Sequence, residues 1–560
     1  MSQTQIKENN EIVAYFSLEI AVSNNLPTYA GGLGVLAGDI MRSAADNNFP
    51  LVGMTLLNRR GYFKQTISSE GDQIARAEKS FPLALLEKMK QEVTVMIGRE
   101  KVTVGAWRFL VKGAVGNQFV RPVYFLDTNL PGNSRANRRL TDYLYASNRE
   151  YRLKQEIVLG RGGVKMLAAL GYKKIKKYHL NEGHGSLATI ELLLESSKKT
   201  MTAKLKEVRS LCVFTVHSPL RSTQDVFSED FLLKYQPDWP SLPGFPDQDN
   251  NINFTQLGLY NSAYVNAVAC LHQSVTQKMF SDYKIKAITN GVNSFFWTTP
   301  ELQKRYDKYI PTWRRNCQNL VKVETINSSE IWQAHQVAKK RLAEWVRKKT
   351  GENLDINTFT IVFARRFTSY KRPQLLFANL YKLLEVQRRA GKIQIVLAGK
   401  AHPEDEEGRK LIKFIWDIKK KLRGKIKVIF LSGYDLNQAQ LLSGGADLWL
   451  NTPTPPLEAS GTSGMKAAHN GIPQLSTFDG WWPEGHVKGK TGWIIRENKT
   501  TRKNNIYDLL EKEILPLYYQ RPQKWRNLMR STIAINAPVF NTERVLRQYN
   551  KEAYKMKWPK

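Results

Sequence analysis

The sequence predicts an α/β protein built from two doubly wound, mostly parallel sheets, one in each half of the chain. Short continuous apolar runs rich in β-branched and aromatic residues recur throughout. VAYFSLE (13–19) and LCVFTVHS (211–218) lie in the first half, and FTIVFARRF (359–367), KIQIVLAGKA (392–401), KIKVIFLSGYD (425–435) and ADLWLNTP (446–453) in the second. Runs of this kind suit strands buried on both faces of a parallel sheet. Amphipathic stretches separate them. SEIWQAHQVAKKRLAEWVRKKTG (329–351) has near-helical apolar spacing and ends in Lys-Lys and a Gly stop. The alternation of strand-like and helix-like segments is the pattern of α/β architecture. In open α/β sheets ligands bind beyond the carboxyl ends of the strands, so the polar residues that follow these runs are the candidates for chemistry.

With 560 residues the chain has room for about three domains or two large ones. A strand-like run meets an Asn-Gly turn in KAITNGVNSFFW (286–297), and a polar, Pro-containing stretch follows. The working division is therefore 1–290 and 291–560, with the C-terminal helix expected to pack back on the N-terminal domain. No repeat or low-complexity segment interrupts either half.

At 42% hydrophobic and 11% aromatic residues the composition excludes wholesale disorder. Cys212, Cys270 and Cys317 are too scattered for a disulfide framework, and none sits in a CxxC pair, so no metal site is expected. The N-terminus is polar, without the apolar region of a secretory signal, and no stretch approaches ~20 consecutive apolar residues. A soluble, cytoplasmic protein without membrane contact is the expectation. Lys+Arg 84 against Asp+Glu 50 gives a net charge of +34, which attracts polyanions. The basic clusters at 172–178, 418–427 and the C-terminus are dispersed, however, and PEDEEG (403–408) intervenes. Zinc-finger spacing, RNP-like aromatics and a basic zipper are all missing from the sequence, so no specific nucleic-acid partner is expected.

EASGTSGMKAAHNG (458–471) is the most informative segment. Glycines and small hydroxyl residues ahead of a helix offer clustered backbone N–H groups that can hold a phosphate. Lys466 follows within one turn, a pairing that suits a phosphorylated aldehyde cofactor held as a Schiff base. Taken alone, the segment also fits an ordinary strand-to-helix turn with a surface lysine. RRFTSYK (365–371) concentrates cations that would let two phosphates lie close together, and alone it also fits a solvated basic loop. His217 alone fits a satisfied core histidine better than a site residue.

EASGTSGMK closely resembles the pyridoxal-phosphate segment of the glycogen/starch/maltodextrin (α-glucan) phosphorylase family. The similarity extends in order through AYFSLEIAVSNNLPTYAGGLGVLAGD (14–39), NREYRLKQEIVLGRGG (148–163), HLNEGHG (179–185), FTVHSP (214–219), TNGVNSFFW (289–297), ARRFTSYKRP (364–373) and AGKAHPEDEEG (398–408). DGWWPEG (479–485) is similar to the short archaeal/bacterial-type subgroup. The resemblance implies two Rossmann-like domains facing across a cleft, the GT-B glycosyltransferase arrangement, with the glucan-binding site in 1–290 and pyridoxal 5′-phosphate in 291–560. It implies phosphorolysis of the non-reducing terminal glucose of an α-1,4-glucan by inorganic phosphate, giving α-glucose 1-phosphate with retention.

Residue by residue, the resemblance assigns Lys466 to the Schiff base. Arg365 and Gly461, Thr462 and Ser463 fall on the cofactor phosphate, and Tyr434 near its ring. Arg366 and Lys371 are assigned to the substrate phosphate, and these two, with His217 and Lys466, form the catalytic set. Glu458, Ser460, Asn290, Tyr370 and His217 are assigned to glucose hydroxyls, and the backbone of Gly31, Gly32 and Leu33 to close approach. Glu19, Glu182 and His184 align near the family's site, where structural ion pairs are an equal reading. Dimers are common in the family, which leaves a homodimer open, and the long N-terminal regulatory extension of its animal members has no room here, so control of that type is not expected.

The chain departs from the family pattern at four places, one of them Val216-His217-Ser218-Pro219, where the short subgroup usually has Thr-His-Thr-Pro. His469 replaces Leu or Met three residues after Lys466; neutral it can pack, protonated it would disfavour a cationic cofactor linkage. Thr223-Gln224 replaces Gly-His before Asp225, and Asn293 replaces a common His. None removes a cofactor or phosphate residue, so an active enzyme is expected, with chain-length preference open. Two alternatives remain. One is a catalytically silent glucan- or polyanion-binding homologue. The other is a nucleotide-sugar-dependent glucosyltransferase, against which Lys466 argues.

Overall fold

The computed structural model describes residues 10–77, 81–115, 119–145, 148–498 and 504–559. The chain divides into two compact units, the first comprising 1–63, 77–289 and 545–560, the second 64–76 and 290–544.

The first unit is organised by a nine-stranded sheet. In spatial order its strands are Lys286–Ala287, Tyr264–Ala267, Cys212–Thr215, Ile175–Asn181, Ile12–Phe16, Leu51–Leu56, Val120–Asp127, Glu100–Lys112 and Glu87–Ile97. The first seven run parallel and the last two are added antiparallel. Ile12, Ala14 and Phe16 feed one apolar core while Val13 and Tyr15 feed another, so the sheet is covered on both faces. The C-terminal residues from Val545 onward complete the second core. There Tyr554 Oη lies 2.6 Å from His179 Nδ1, and His179 Nε2 lies 2.8 Å from Thr215 Oγ1. Burial lowers the His179 pKa to about 3, so this core histidine is neutral.

The second unit holds six parallel strands in the order Lys427–Leu431, Ile393–Ala398, Phe359–Ala364, Leu448–Asn451, Gln474–Thr477 and Gly492–Ile495. Counted along the chain this is the 3-2-1-4-5-6 order of a doubly wound nucleotide-binding sheet. The molecule is thus α/β with two Rossmann-like sheets, as the sequence predicts. The amphipathic segment forms a helix over Ser328–Thr350, N-capped by the Asn327 side chain and stopped by Gly351 at φ 75°.

One boundary needs correction. Residues 64–76, within the 1–290 division drawn from the sequence, cluster with the second unit. Their two strands, Lys64–Ile67 and Gln73–Arg76, form an antiparallel pair. Gln65 donates to Gly399 O and accepts from Gly433 N, and Gln73 bridges both backbone groups of Ala401. Side-chain amides that satisfy loop backbone groups carry no apolar periodicity, which is why pattern reading misses the association.

Candidate functional site

The apolar runs read from the sequence overshoot their strands, and the overshoot supplies the site residues. In the second unit the strand order reverses between Phe359–Ala364 and Leu448–Asn451, the switch point at which doubly wound sheets bind ligands. Arg365 follows the first of these strands and Glu458 to Lys466 follow the second. Both loops are brought together around one carboxylate. Glu458 Oε2 accepts from Arg365 Nη2 at 2.7 Å and from Lys371 Nζ. Arg365 Nη1 donates to Asn451 Oδ1 at 2.9 Å. All three charged groups are buried. Burial pushes the Glu458 carboxyl up, but Arg365 and Lys371 outweigh it and hold the group below its ordinary range.

The cluster leaves polar atoms unanswered. Arg365 Nε and Ser460 Oγ are buried without a hydrogen-bond partner. Two buried cations share one carboxylate, so the pocket keeps net positive charge and free donor capacity, a combination suited to anionic oxygens. Gly461 turns the chain at φ 80°, a left-handed conformation that leads Thr462 and Ser463 into the helix Ser463–Ala468. Lys466 is buried on that helix with Nζ 4.0 Å from the Trp297 ring centre. An aldehyde- and phosphate-bearing cofactor fits this donor set: an amine in a covered site, a glycine turn, and an orphaned guanidinium N–H.

Tyr370 is half-buried with Lys371 Nζ 4.4 Å from its ring centre, Tyr434 is half-buried in the loop after Lys427–Leu431, and Arg366 is exposed. Asn290 is buried where the Val292–Asn541 bridge fastens its loop, and its carbonyl accepts from Arg544. Asn293 caps the short helix Ser294–Trp297 by accepting from Phe296 N, which a histidine would do less readily. His469 is buried, with Nδ1 2.9 Å from Met465 O and Nε2 3.1 Å from Ser294 Oγ. A carbonyl only accepts, so Nδ1 carries the proton and Nε2 accepts from the serine. Burial lowers the His469 pKa to about 4, which keeps the ring neutral at this departure from the family pattern.

Asp479 was not singled out from the sequence. Its carboxylate receives the backbone N–H of Glu458 at 2.9 Å and of Gly480 at 2.8 Å, while Trp481 N donates to Ser460 O. It therefore ties the DGWW loop to the loop carrying Glu458 and Ser460. Burial, with the Glu458 charge adding to it, raises the Asp479 pKa to about 7.

In the first unit the sheet reverses between Ile12–Phe16 and Ile175–Asn181, and Glu19 and Glu182 follow these two strands. Glu19 Oε2 accepts from Gly31 N at 3.1 Å and from Ala30 N at 2.5 Å, and Oε1 accepts from Tyr145 Oη at 2.9 Å. This carboxylate pins the YAGGLG turn that opens the helix Gly32–Asp46 and carries Gly31, Gly32 and Leu33. A Cβ at Gly31 or Gly32 would meet nothing within 4 Å, so the space against this backbone is open.

Glu182 sits at φ 78°, unusual for a residue with a Cβ. Its carboxylate accepts from Gly183 N at 3.1 Å, His217 N at 2.8 Å and Thr255 Oγ1 at 3.4 Å, and burial raises its pKa. His217 Nε2 lies 2.6 Å from Asn181 Oδ1, and burial lowers its pKa to about 3. Glu156, His184 and Asp225 offer ligand atoms within 4.8 Å of one another. Arg152 already bridges Glu156 and Asp225 at 3.1 Å each, so the cation of that cluster is a guanidinium. Gln224, one of the departures, accepts from Asn253 Nδ2 at 2.7 Å, and Thr223 Oγ1 donates to Leu220 O.

Comparison with known proteins places these features in context. The carbohydrate phosphorylase family matches residues 245–484. A maltodextrin phosphorylase of Thermococcus litoralis is 35% identical over 609 residues, covering 97% of this chain and 70% of the relative. A glycogen phosphorylase of Aquifex aeolicus is 34% identical, covering 97% and 86% respectively. An uncharacterized protein of Methanocaldococcus jannaschii is 34% identical and is covered over 99% of its length. Among the described residues no helix is long and apolar enough to cross a membrane.

Proposed function

The chain belongs to the carbohydrate phosphorylase family, and from that premise we propose that it is an α-1,4-glucan phosphorylase that holds pyridoxal 5′-phosphate at Lys466. The observation that carries this reading is the cluster at the switch point of the second sheet, where Arg365 and Lys371 share Glu458 and Arg365 Nε and Ser460 Oγ are left unpaired.

In the proposed reaction an oxygen of inorganic phosphate forms a bond to C1 of the terminal glucose. The bond from C1 to the leaving glucan oxygen breaks, and a proton passes from the phosphate to that oxygen. The products are α-glucose 1-phosphate and a glucan one unit shorter. When bound, the cofactor would supply a second phosphate group, and its ring would not be required as an electron sink.

The chain's own residues bind and orient. Lys466 Nζ would hold the cofactor, Arg365 with the Gly461–Thr462–Ser463 turn would hold its phosphate, and Tyr434 would lie near its ring. Lys371 and Arg366 hold the substrate phosphate. Bringing two phosphates together is repulsive, and these cations offset the repulsion, Arg365 and Lys371 most strongly because they are buried. Glu458, Ser460, Asn290, Tyr370, neutral His217 and the backbone of Gly31 to Leu33 receive and donate hydrogen bonds at the glucose hydroxyls, giving selectivity for glucose. With its low pKa His217 stays neutral near pH 7. It therefore contributes hydrogen bonding without adding a charge beside a developing oxocarbenium ion.

The test is glucose 1-phosphate release from maltoheptaose by cofactor-loaded protein, with and without inorganic phosphate. Release that requires phosphate supports the reading. Glucan extension from a nucleotide-sugar, or binding of glucan with no turnover in either direction, would replace it with one of the two alternatives drawn from the sequence. A cytoplasmic enzyme acting on maltodextrin- or glycogen-type glucans is the setting this function implies.

A further inference from the structure

Two loops beside the cationic cluster are joined by a single side chain from the strand Lys64–Ile67. Gln65 is buried there, three hundred residues before the loops it holds. Its Nε2 donates to Gly399 O at 2.9 Å and to Gln73 Oε1 at 2.8 Å. Its Oε1 accepts from Gly433 N at 2.8 Å. The amide can adopt only this orientation, because a flip would set its oxygen against carbonyls and its N–H groups against an N–H. Gln73 completes the set, accepting from Ala401 N at 3.0 Å and donating to Ala401 O at 2.9 Å.

Both loops bear on the proposed cofactor site. Gly399 to Ala401 follow the strand Ile393–Ala398, at the carboxyl edge of the sheet. They pack on the backbone that carries Arg365 and Arg366. Arg365 N donates to Ala398 O at 3.0 Å and Phe367 N to Lys400 O at 2.9 Å, and a Cβ at Gly399 would collide with the Arg365 carbonyl. Gly433 follows the strand Lys427–Leu431 and immediately precedes Tyr434. The carbonyls of this second loop have local partners: Gln438 Nε2 donates to Gly433 O at 2.7 Å, and Lys349 Nζ to Ser432 O at 2.8 Å. Its amide at Gly433 is answered by Gln65. One side chain thus spans from the loop under Arg365 to the loop carrying Tyr434, and hydrogen bonds at both ends fix distance and direction.

Fastening the strand pair to the second unit does not require this bridge. Lys413 Nζ meets Asp72 Oδ1 at 2.9 Å and Trp416 Nε1 donates to Ser69 O at 3.0 Å, both from the helix Glu406–Lys421. A buried amide at the carboxyl edge of the sheet does something further. We propose that Gln65 is a positioning residue for the cofactor site, setting the separation of the Arg365 and Tyr434 loops through the backbone of Gly399 and Gly433. The inference rests on the pyridoxal 5′-phosphate reading of that site. The chain enters the strand pair from Phe63 and leaves it at Ala77, both in the first unit, so a segment inserted from the first unit's chain shapes a site of the second.

The experiment titrates full-length wild type, Gln65→Ala, Gln73→Ala and Lys413→Ala with pyridoxal 5′-phosphate by equilibrium dialysis. Urea midpoints without cofactor and KM for maltodextrin with it are recorded beside the cofactor Kd. The expected result is about a tenfold rise in cofactor Kd for Gln65→Ala and about threefold for Gln73→Ala. Lys413→Ala should bind as wild type, and maltodextrin KM should hold in all three variants. A merely structural role would lower the urea midpoint of the glutamine variants and leave their cofactor Kd unmoved, which would overturn the proposal. An equal rise in Lys413→Ala would do the same. Should Gln65→Ala not fold, Gln73→Ala against Lys413→Ala decides the question. Wild-type protein that takes up no cofactor would overturn the cofactor reading and this inference with it, a failure distinct from unchanged affinity in the variants.

Discussion

Each unit ends its sheet's switch point in a loop carrying a buried glutamate, and the two are held in opposite ways. Glu458 is flanked by Arg365 and Lys371, and its carboxyl is stabilised as an anion. Glu182 is met by neutral donors, among them Gly183 N, His217 N, Thr255 Oγ1 and Ser218, and burial pushes its carboxyl toward protonation. Within a shared topology the two surroundings suit different ligands. A cationic, under-satisfied cluster suits phosphates, and a neutral hydrogen-bonding cluster suits sugar hydroxyls, which carry no charge to balance.

This contrast breaks most visibly at the cations. Lys371→Ala is expected to lower kcat by about 10²–10³ and to raise KM for phosphate, with maltodextrin affinity nearly unchanged. Initial rates at varied phosphate and fixed glucan would show it, and an effect confined to glucan KM would contradict the assignment. On the neutral side, His217→Ala should cost about 10–10² in kcat/KM for glucan and leave phosphate KM alone. A phosphate-specific defect there would erase the distinction between the two clusters.

Asp479 sharpens the comparison within the second unit. A carboxyl raised from 3.8 to about 7 keeps its proton in the folded protein while the unfolded chain loses it. Its contribution to stability is therefore fully present below about pH 4 and falls as pH rises to about 7, with a slope of up to about 1.4 kcal/mol per pH unit. Glu458 has the opposite sign, and its contribution is lost only as pH falls below the ordinary glutamate range. Urea unfolding at pH 5 and pH 7 should show wild-type stability declining relative to Asp479→Asn across that interval. Parallel behaviour of the two proteins would place the proton elsewhere. The smallest effect is expected from His469→Leu, about 1 kcal/mol from an unpaired Ser294 hydroxyl, with activity retained. A large gain in activity in that variant would mean that the histidine disturbs the cofactor site.

Much of this was legible in the chain. The strands appear as apolar runs whose tails include Arg365 and His217, and the family resemblance is what assigns roles to these two and to Glu458. Asp479 was not legible because its work is done on the backbone N–H of Glu458, twenty-one residues earlier, and backbone partners leave no side-chain pattern. The 64–76 strand pair escaped for the same reason, its glutamines answering loop carbonyls and amides. Glu182 was seen as an aligned acid, but its left-handed backbone and its neutral surroundings depend on Thr255 and His217, which only the fold brings near.

The buried lysine beside the cationic cluster is the proposed anchor of the cofactor. Protein loaded with pyridoxal 5′-phosphate should be reduced with borohydride, digested, and the modified peptide mapped by mass spectrometry. One phosphopyridoxyl group is expected on Lys466, absent in Lys466→Ala together with all phosphorolysis. Modification of another lysine, or undiminished turnover in Lys466→Ala, would contradict it.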